Sequence, residues 1–157
     1  MSLNEIQEVT DAERALWPDT VIVPFADTFA DERGEILPLV DLSFKSAVLI
    51  TSKLGTVRAN HFHKTDWHFC YIISGAIEYY HRPHGSNAHP EMVLVRKGQL
   101  FFTPPLVDHS MVFLEDTVFL TLGRNSRRQE VYEADVERIK PINPDPNIIK
   151  SSAESLS

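Results

Sequence analysis

The feature that most constrains this fold is a series of short β-prone segments between residues 20 and 122, with no helical pattern between them. Each is rich in β-branched and aromatic residues, and turn residues separate them, as at 83–87 and 97–98. About ten short strands at this spacing predict a sandwich or barrel. The predicted strands are 20–25, 35–40, 46–52, 56–63, 68–73, 76–82, 91–96, 100–103, 109–114 and 117–122.

The two ends of the chain differ from this central region. Apolar residues at three- and four-residue steps predict a short amphipathic helix over 4–16, and Trp17-Pro18 ends it. After residue 126 the composition becomes charged; Val131-Tyr132 and Val136 could dock a last strand or a short helix, and the Pro- and Ser-rich end reads as a loose tail. We therefore expect one all-β domain, with an N-terminal helical extension (1–18), a β-barrel (19–126) and a C-terminal extension or tail (127–157).

Composition limits the kinds of partner. The chain has 157 residues, of which 43% are hydrophobic, enough for one folded core. Its net charge of -7 disfavours nucleic acid and anionic membranes as partners, but local arginines can still bind a small anion. The single cysteine, Cys70, predicts a reducing cytoplasm. No apolar run approaches the ~20 residues of a transmembrane helix.

Histidines are concentrated in one part of the predicted barrel. His61 and His63 stand two apart in a predicted strand, so both should point to the same face. His68 begins the next strand, and His109 begins a later one. Imidazole is suited to proton transfer and to metal ligation near neutral pH. This cluster is the candidate site of the chain.

Two readings of the cluster compete. In one, His61, His63, His68 and His109 bind a single divalent transition metal: Zn, Ni, Fe or Cu. In the other, the pocket is free of metal and the histidines act as acid, base or hydrogen-bonding groups. A nitrogen bonded to a metal has no lone pair for a proton, so one histidine nitrogen cannot do both.

The spacing resembles the first motif of the cupin superfamily, a jelly-roll β-barrel. That motif runs Gly, five residues, His-x-His, three or four residues, Glu, six residues, Gly. Gly55, His61, His63 and Gly75 match it, and His68 stands where the superfamily has Glu.

The second cupin motif is also present in part. It runs Gly, five residues, Pro-x-Gly, two residues, His, three residues, Asn. Gly98, Pro104 and His109 match, whereas Leu106 replaces the second Gly and Phe113 replaces the Asn. The resemblance spans roughly residues 20–124 and implies a single-domain cupin jelly roll.

Within the cupins, the chain is most similar to the RmlC-like sugar-nucleotide branch, which contains dTDP-sugar 3,5-epimerases and 3,4-ketoisomerases. Residues 29–36 resemble their Phe-x-Asp-x-Arg-Gly-x-aliphatic segment, and 58–64 resemble the ketoisomerase run Arg-Gly-x-His-x-His-Lys. The resemblance implies that Arg33 and Arg58 bind the nucleotide diphosphate. It also implies that His61 and His63 move the proton next to the keto group.

The chain departs from this branch at two positions. The epimerases place a tyrosine acid on a late strand, but residues 119–124 contain no tyrosine. Full 3,5-epimerisation by the epimerase route is therefore not expected. The ketoisomerases work without metal and carry Gln at the position where this chain has His68.

The expected function is that of an isomerase or epimerase acting on a dTDP-keto-sugar in surface-polysaccharide synthesis, with a small-molecule substrate and no organic cofactor. One alternative is a metal-dependent cupin, either an oxygenase or a metal-assisted isomerase. Another is a non-catalytic sugar- or effector-binding module. A homodimer is expected, because an exposed sheet edge favours pairing. Arg127 and Arg128 are interpreted as a solvated face, with contact to a neighbouring subunit as the alternative.

Overall fold

The computed structural model describes residues 6–144. Eleven short strands and two short helices make up this region. In chain order they are α1 Asp11–Arg14, β1 Phe29–Asp31, β2 Gly34–Ile36, β3 Ser46–Ser52, β4 Val57–His63, β5 His68–Ser74, β6 Ala76–Pro83, β7 Glu91–Arg96, β8 Leu100–Thr103, β9 Val107–Phe113, β10 Thr117–Gly123, α2 Gln129–Asp135 and β11 Val136–Arg138.

The strands form two antiparallel sheets and one separate hairpin. The four-stranded sheet has the order β3-β10-β5-β8, and the five-stranded sheet has the order β11-β4-β9-β6-β7. Apart from β6 and β7, neighbours within each sheet are not consecutive in sequence, as the crossing connections of a jelly roll require. The predicted all-β jelly roll is therefore confirmed.

Side chains from the inner faces of both sheets make the core. Ile77, Tyr79 and Phe113 come from the five-stranded sheet, and Ile72 and Phe119 come from the other. All five are fully buried. Tyr79 also contacts the rings of His81 and His109, so histidines adjoin this core.

The N-terminal helix is shorter than predicted. The predicted helix 4–16 is reduced to Asp11–Arg14, because Thr10 caps it by accepting a hydrogen bond from the Glu13 backbone N–H. The Glu13 carboxylate accepts hydrogen bonds from Trp67 Nε1 at 3.0 Å and from Arg124 Nε at 2.5 Å. These partly buried hydrogen bonds fix the helix to the barrel. Residues 4 and 5 of the prediction lie outside the described residues.

Two predicted strands are largely absent. The segment 20–25 forms only an isolated bridge, between Ile22 and Phe101. The predicted strand 35–40 ends at Ile36 and instead pairs with β1 in a separate hairpin, in which Phe29 lies opposite Ile36. Both segments have the composition of strands, but the first pairs with β8 only around Ile22 and the second pairs only with β1.

The chain beyond residue 126 takes part in the barrel. Helix α2 leads directly into β11, which pairs with β4 so that Val136 lies opposite His63. The Asn143 side chain then accepts hydrogen bonds from Asn60 Nδ2 and Ser110 Oγ, each at 2.9 Å. The predicted C-terminal extension therefore completes the five-stranded sheet. Of the predicted tail, residues 145–157 lie outside the described residues.

Neither of the two helices in the described region is long or apolar enough to span a membrane.

Candidate functional site

The histidines predicted to form the site come together from two sheets. His61 and His63 lie on β4, His109 lies opposite His61 on β9, and His68 comes from β5 of the facing sheet. The ring centroids of His61 and His109 are 4.7 Å apart, and those of His61 and His63 are 4.8 Å apart. His68 is 4.8 Å from His63 by the same measure. Segments distant in sequence therefore share one site.

A β-bulge sets the direction of the side chains on β4. Arg58 lies opposite Met111 and Ala59 opposite Ser110, but His61 is already opposite His109, so Asn60 is an extra residue. Ala59 and Asn60 both have positive φ, 71° and 53°. An extra residue reverses the facing of the residues beyond it in the strand. Without it, Arg58 and His61 would face opposite sides, whereas in the structure both line one cavity.

His63 is the most deeply buried of the four histidines. Its side chain is 1% exposed, and neither ring nitrogen makes a hydrogen bond with a described residue. The nearest carboxylate oxygen is Asp135 Oδ2, 3.4 Å from Nδ1. Burial lowers the pKa of His63, and Asp135 offsets part of this shift. His63 is therefore neutral at pH 7 and keeps a free lone pair.

The other two members of the close group are also neutral. Burial, followed by the neighbouring imidazoles, lowers the pKa of His61 to about 2. Burial first, then His63, lowers the pKa of His109 to about 3. His109 Nδ1 donates a hydrogen bond to the Val107 carbonyl at 3.0 Å, which leaves Nε2 as the acceptor. Neutral imidazoles can accept protons or ligate a metal.

His68 does not belong to the close group of possible metal ligands. The donor atoms of His61, His63 and His109 lie within 4.8 Å of one another, and His68 is not among them. Its Nε2 is instead 3.0 Å from Asp66 Oδ2. The predicted four-histidine set thus becomes three histidines with a fourth held to one side by a carboxylate.

A second group of possible ligands consists of His63, Asp66 and Asp135. Its two carboxylates already accept several hydrogen bonds. Asp135 accepts hydrogen bonds from the backbone N–H of Thr65 and of Asp66, at 2.9 and 3.0 Å, and from the Thr65 hydroxyl at 2.5 Å. Asp66 accepts one from the backbone N–H of Asn125 at 2.9 Å. We interpret this group as the support behind the histidines.

The cavity beside the histidines has a volume of about 240 Å³. One wall is apolar and includes Val48, Phe101 and Phe119. The polar groups that line it include His61, His68, His109, Arg58, Arg127 and Tyr132. No carboxylate of the described residues lines it. His63 is not part of this lining either, because its side chain is buried behind the cavity surface.

The two arginines predicted to bind substrate are placed differently. Arg58 lines the cavity, and its guanidinium donates hydrogen bonds to Ser52 Oγ at 2.6 Å and to the Thr51 carbonyl at 3.0 Å. Arg33 lies in the separate β1–β2 hairpin, with its side chain 80% exposed and bound to Asp31. The structure does not bring Arg33 to the cavity of its own chain, because that hairpin pairs only with itself.

Three residues of the site were not predicted from the sequence. Tyr132 and Arg127 line the cavity, and Asp135 lies behind His63. Helix α2 and the segment before it place all three. Their charged, weakly patterned sequence is typical of a solvated surface, and only Val131-Tyr132 and Val136 indicated that this segment docks.

Comparison with known proteins identifies the fold. No protein-family model matches the chain, and no curated protein matches it by sequence. Among solved structures, the QdtA 3,4-ketoisomerase from Thermoanaerobacterium thermosaccharolyticum, a double mutant in complex with TDP, is 22% identical with a TM-score of 0.60; the match covers 74% of this chain and 85% of QdtA.

Two sugar epimerases are similar to the same degree. The dTDP-4-dehydrorhamnose 3,5-epimerase from Sulfolobus tokodaii is 16% identical with a TM-score of 0.58, and the match covers 74% of each chain. The 3'-monoepimerase ChmJ from Streptomyces bikiniensis, in complex with dTDP-quinovose, is 15% identical with a TM-score of 0.61; the match covers 81% of this chain and 71% of ChmJ. The chain therefore has the RmlC-like cupin fold that its motifs predicted, and its structural neighbours are sugar-nucleotide ketoisomerases and epimerases.

Proposed function

We propose that this protein is an isomerase or epimerase that moves a proton beside the ketone of a nucleotide-linked keto-sugar, in surface-polysaccharide synthesis. The observation that carries the proposal is the composition of the cavity. It combines neutral histidines with arginine side chains, contains no carboxylate from the described residues, and belongs to a chain of net charge -7. Such a cavity suits an anionic ligand whose carbon acid lies near an imidazole.

His61 is the proposed proton acceptor, because it lines the cavity whereas His63 lies buried behind it. His61 takes a proton from the carbon next to the ketone. The electron pair of that C–H bond forms the C=C bond of an enediol-type intermediate, while the C=O π bond opens and its oxygen takes a proton from solvent. The ketoisomer forms when the former carbonyl carbon takes a proton and the hydroxyl on the neighbouring carbon loses its proton to solvent as it becomes the ketone. The epimer forms when the original carbon takes a proton on its opposite face and the former carbonyl oxygen loses its proton again, so the reaction is redox-neutral overall.

The electrostatics of the cavity bear on this step. The pKa of His61, about 2 without ligand, is too low for efficient general-base catalysis at neutral pH. A negative charge within the same cavity raises the pKa of an imidazole, because it favours the protonated form. Binding of the anionic substrate would therefore make His61 a better base. Arg58 is the proposed contact for that anion.

The experiment is incubation with dTDP-4-keto-6-deoxyglucose in deuterated water, followed by mass spectrometry of the sugar. The proposal predicts deuterium uptake at a carbon beside the ketone, lost in His61→Asn. His89→Asn is the matched control, since His89 is exposed on the loop before β7. Absence of exchange at high enzyme concentration would count against the isomerase.

A second candidate is a metal-dependent cupin, and one observation favours it. His63 is buried with both ring nitrogens unpartnered among the described residues, and it belongs to the close group with His61 and His109. Three neutral imidazoles suit Zn, Ni, Fe or Cu. A metal held there would polarise a substrate oxygen. Elemental analysis of protein purified without an affinity tag separates the candidates: metal far below one ion per chain removes this one.

The proposed assembly is a cytoplasmic homodimer. Strand β3 pairs only with β10, so its other edge is free among the described residues, and Leu49 on it is 64% exposed. A free edge of this kind favours pairing with a second copy. Light scattering after size exclusion would test the dimer. The one cysteine, Cys70, is buried and free, as suits a reducing compartment.

A further inference from the structure

The arginines of this protein fall into two groups. The chain contains nine arginines, and six of them lie within 4.0 Å of a carboxylate oxygen. Arg58, Arg96 and Arg127 have no ion pair with a described carboxylate. The chain has 22 acidic residues and 15 basic ones, so most guanidinium groups have a carboxylate partner, and these three are exceptions among the described residues.

Two of these three arginines line the same cavity. Arg58 reaches it from β4 and Arg127 from the segment between β10 and α2. Arg96 lies at the end of β7, an edge strand, and does not line this cavity. The cavity therefore has two positive charges that no described carboxylate of its lining neutralises. Its natural counter-charge is an anionic ligand.

The position of Arg127 is set by an aromatic ring. The guanidinium carbon of Arg127 lies 3.7 Å from the centroid of the Tyr132 ring, a cation–π contact. The same ring packs against His63 and His61, with centroid distances of 5.6 and 6.4 Å. Tyr132 thus contacts Arg127 with its face and the two histidines edge-on. An anion held by Arg127 would consequently lie in the same cavity as the imidazoles.

We propose that Arg127 binds the phosphate groups of the ligand together with Arg58, and that Tyr132 is the platform that positions Arg127. The planar fork of each guanidinium suits bidentate contact with phosphate oxygens. The identity of the anion as a nucleoside diphosphate rests on the proposed function. The existence of a two-arginine anion site does not.

The test is calorimetric titration of wild-type and variant protein with pyrophosphate and TDP, with uncharged thymidine as a comparison. Arg127→Gln should weaken binding of both anions by about tenfold or more, since charge-assisted hydrogen bonds are lost. Arg96→Gln is the matched control and should bind like wild type. Affinity should fall as salt is added, because screening weakens charge pairing.

Two tyrosine variants test the platform. Tyr132→Phe keeps the ring face and should leave anion affinity near that of wild type, whereas Tyr132→Ala removes the ring and should weaken it. Thermal unfolding without ligand shows whether each variant is folded. Arg127→Gln is the decisive variant because its exposed side chain is not needed for the core.

The outcomes distinguish this inference from the proposed function. Unchanged pyrophosphate and TDP binding in Arg127→Gln, or no binding to wild type at millimolar anion, overturns the anion site. If deuterium exchange nevertheless occurs in wild type, the isomerase proposal is supported although the two-arginine anion site is rejected. Conversely, Arg127-dependent anion binding without any exchange supports the anion site and leaves the isomerase unsupported.

Discussion

His63 and Asp135 face each other at the back of the cavity, with Nδ1 of the imidazole 3.4 Å from Oδ2 of the carboxylate. Their side chains are 1% and 3% exposed. Burial by itself would raise the pKa of Asp135, but the contact with His63 and the hydrogen bonds from Thr65 and Asp66 lower it below the ordinary value. Asp135 is therefore a buried anion, which orients β4 and its histidines against the C-terminal segment.

Asp135→Asn is expected to destabilise the protein by about 1–3 kcal/mol. An amide can accept from only one of its two polar atoms, so it cannot serve the backbone N–H groups of both Thr65 and Asp66. Urea unfolding gives the change in the free energy of unfolding. Glu137→Gln, an exposed change on β11, should stay within about 0.5 kcal/mol. Equal stability of the two variants would contradict the assigned role.

Stability of the metal-free protein should fall as the pH drops from 6.5 toward about 3. His109 has its pKa lowered from 6.5 to about 3 in the folded state. Between these values the unfolded chain binds more protons than the folded one, so acid favours unfolding. The slope from one such group approaches ~1.4 kcal/mol per pH unit.

Chelator-treated protein unfolded in urea at a series of pH values gives this slope. His109→Asn should reduce it, and His89→Asn should leave it unchanged. Below pH 3.8 the lowered pKa of Asp135 acts in the same direction, because the folded state resists protonation of that carboxylate. A stability that stayed flat between pH 6.5 and 4 would contradict this account.

If a transition metal binds, His109→Asn should reduce the metal content far more than His68→Asn. The possible ligand nitrogens of His61, His63 and His109 lie close together, whereas His68 Nε2 is hydrogen-bonded to the Asp66 carboxylate. Atomic absorption on both variants, loaded and desalted in parallel, makes the comparison. Equal losses would mean that His68 turns toward the metal and acts as a fourth ligand, as the sequence predicts.

Ala59→Gly is expected to stabilise the protein by about 0.5–1 kcal/mol. Ala59 has a φ of 71°, a left-handed conformation that costs an alanine energy and a glycine none. The ketoisomerase run resembled by residues 58–64 has Gly at this position. Urea unfolding provides the measurement. Ala47→Gly, on β3, is the control and should destabilise, since Gly weakens a regular strand; destabilisation by both changes would argue against strain at the bulge.

Much of the site could be predicted because its signals are local. Strand composition and turn residues indicated a sandwich or barrel, and the resemblance of the His61, His63 and His109 spacing to the cupin motifs implied the jelly roll and its histidine pocket. The alternation rule correctly put His61 and His63 on one face, since no bulge falls between them. The same rule could not place Arg58, because the bulge at Asn60 depends on pairing with β9.

The sequence by itself determined the sheet-forming segments and the shared face of His61 and His63, because both follow from the period of a strand and from short-range spacing. Tertiary structure decided the charge and the walls of the cavity. It left Arg33 on a separate hairpin and brought in Arg127, Tyr132 and Asp135 from a segment with no pattern of its own. Which side chains meet across a barrel depends on how distant strands pair, and no local pattern encodes that.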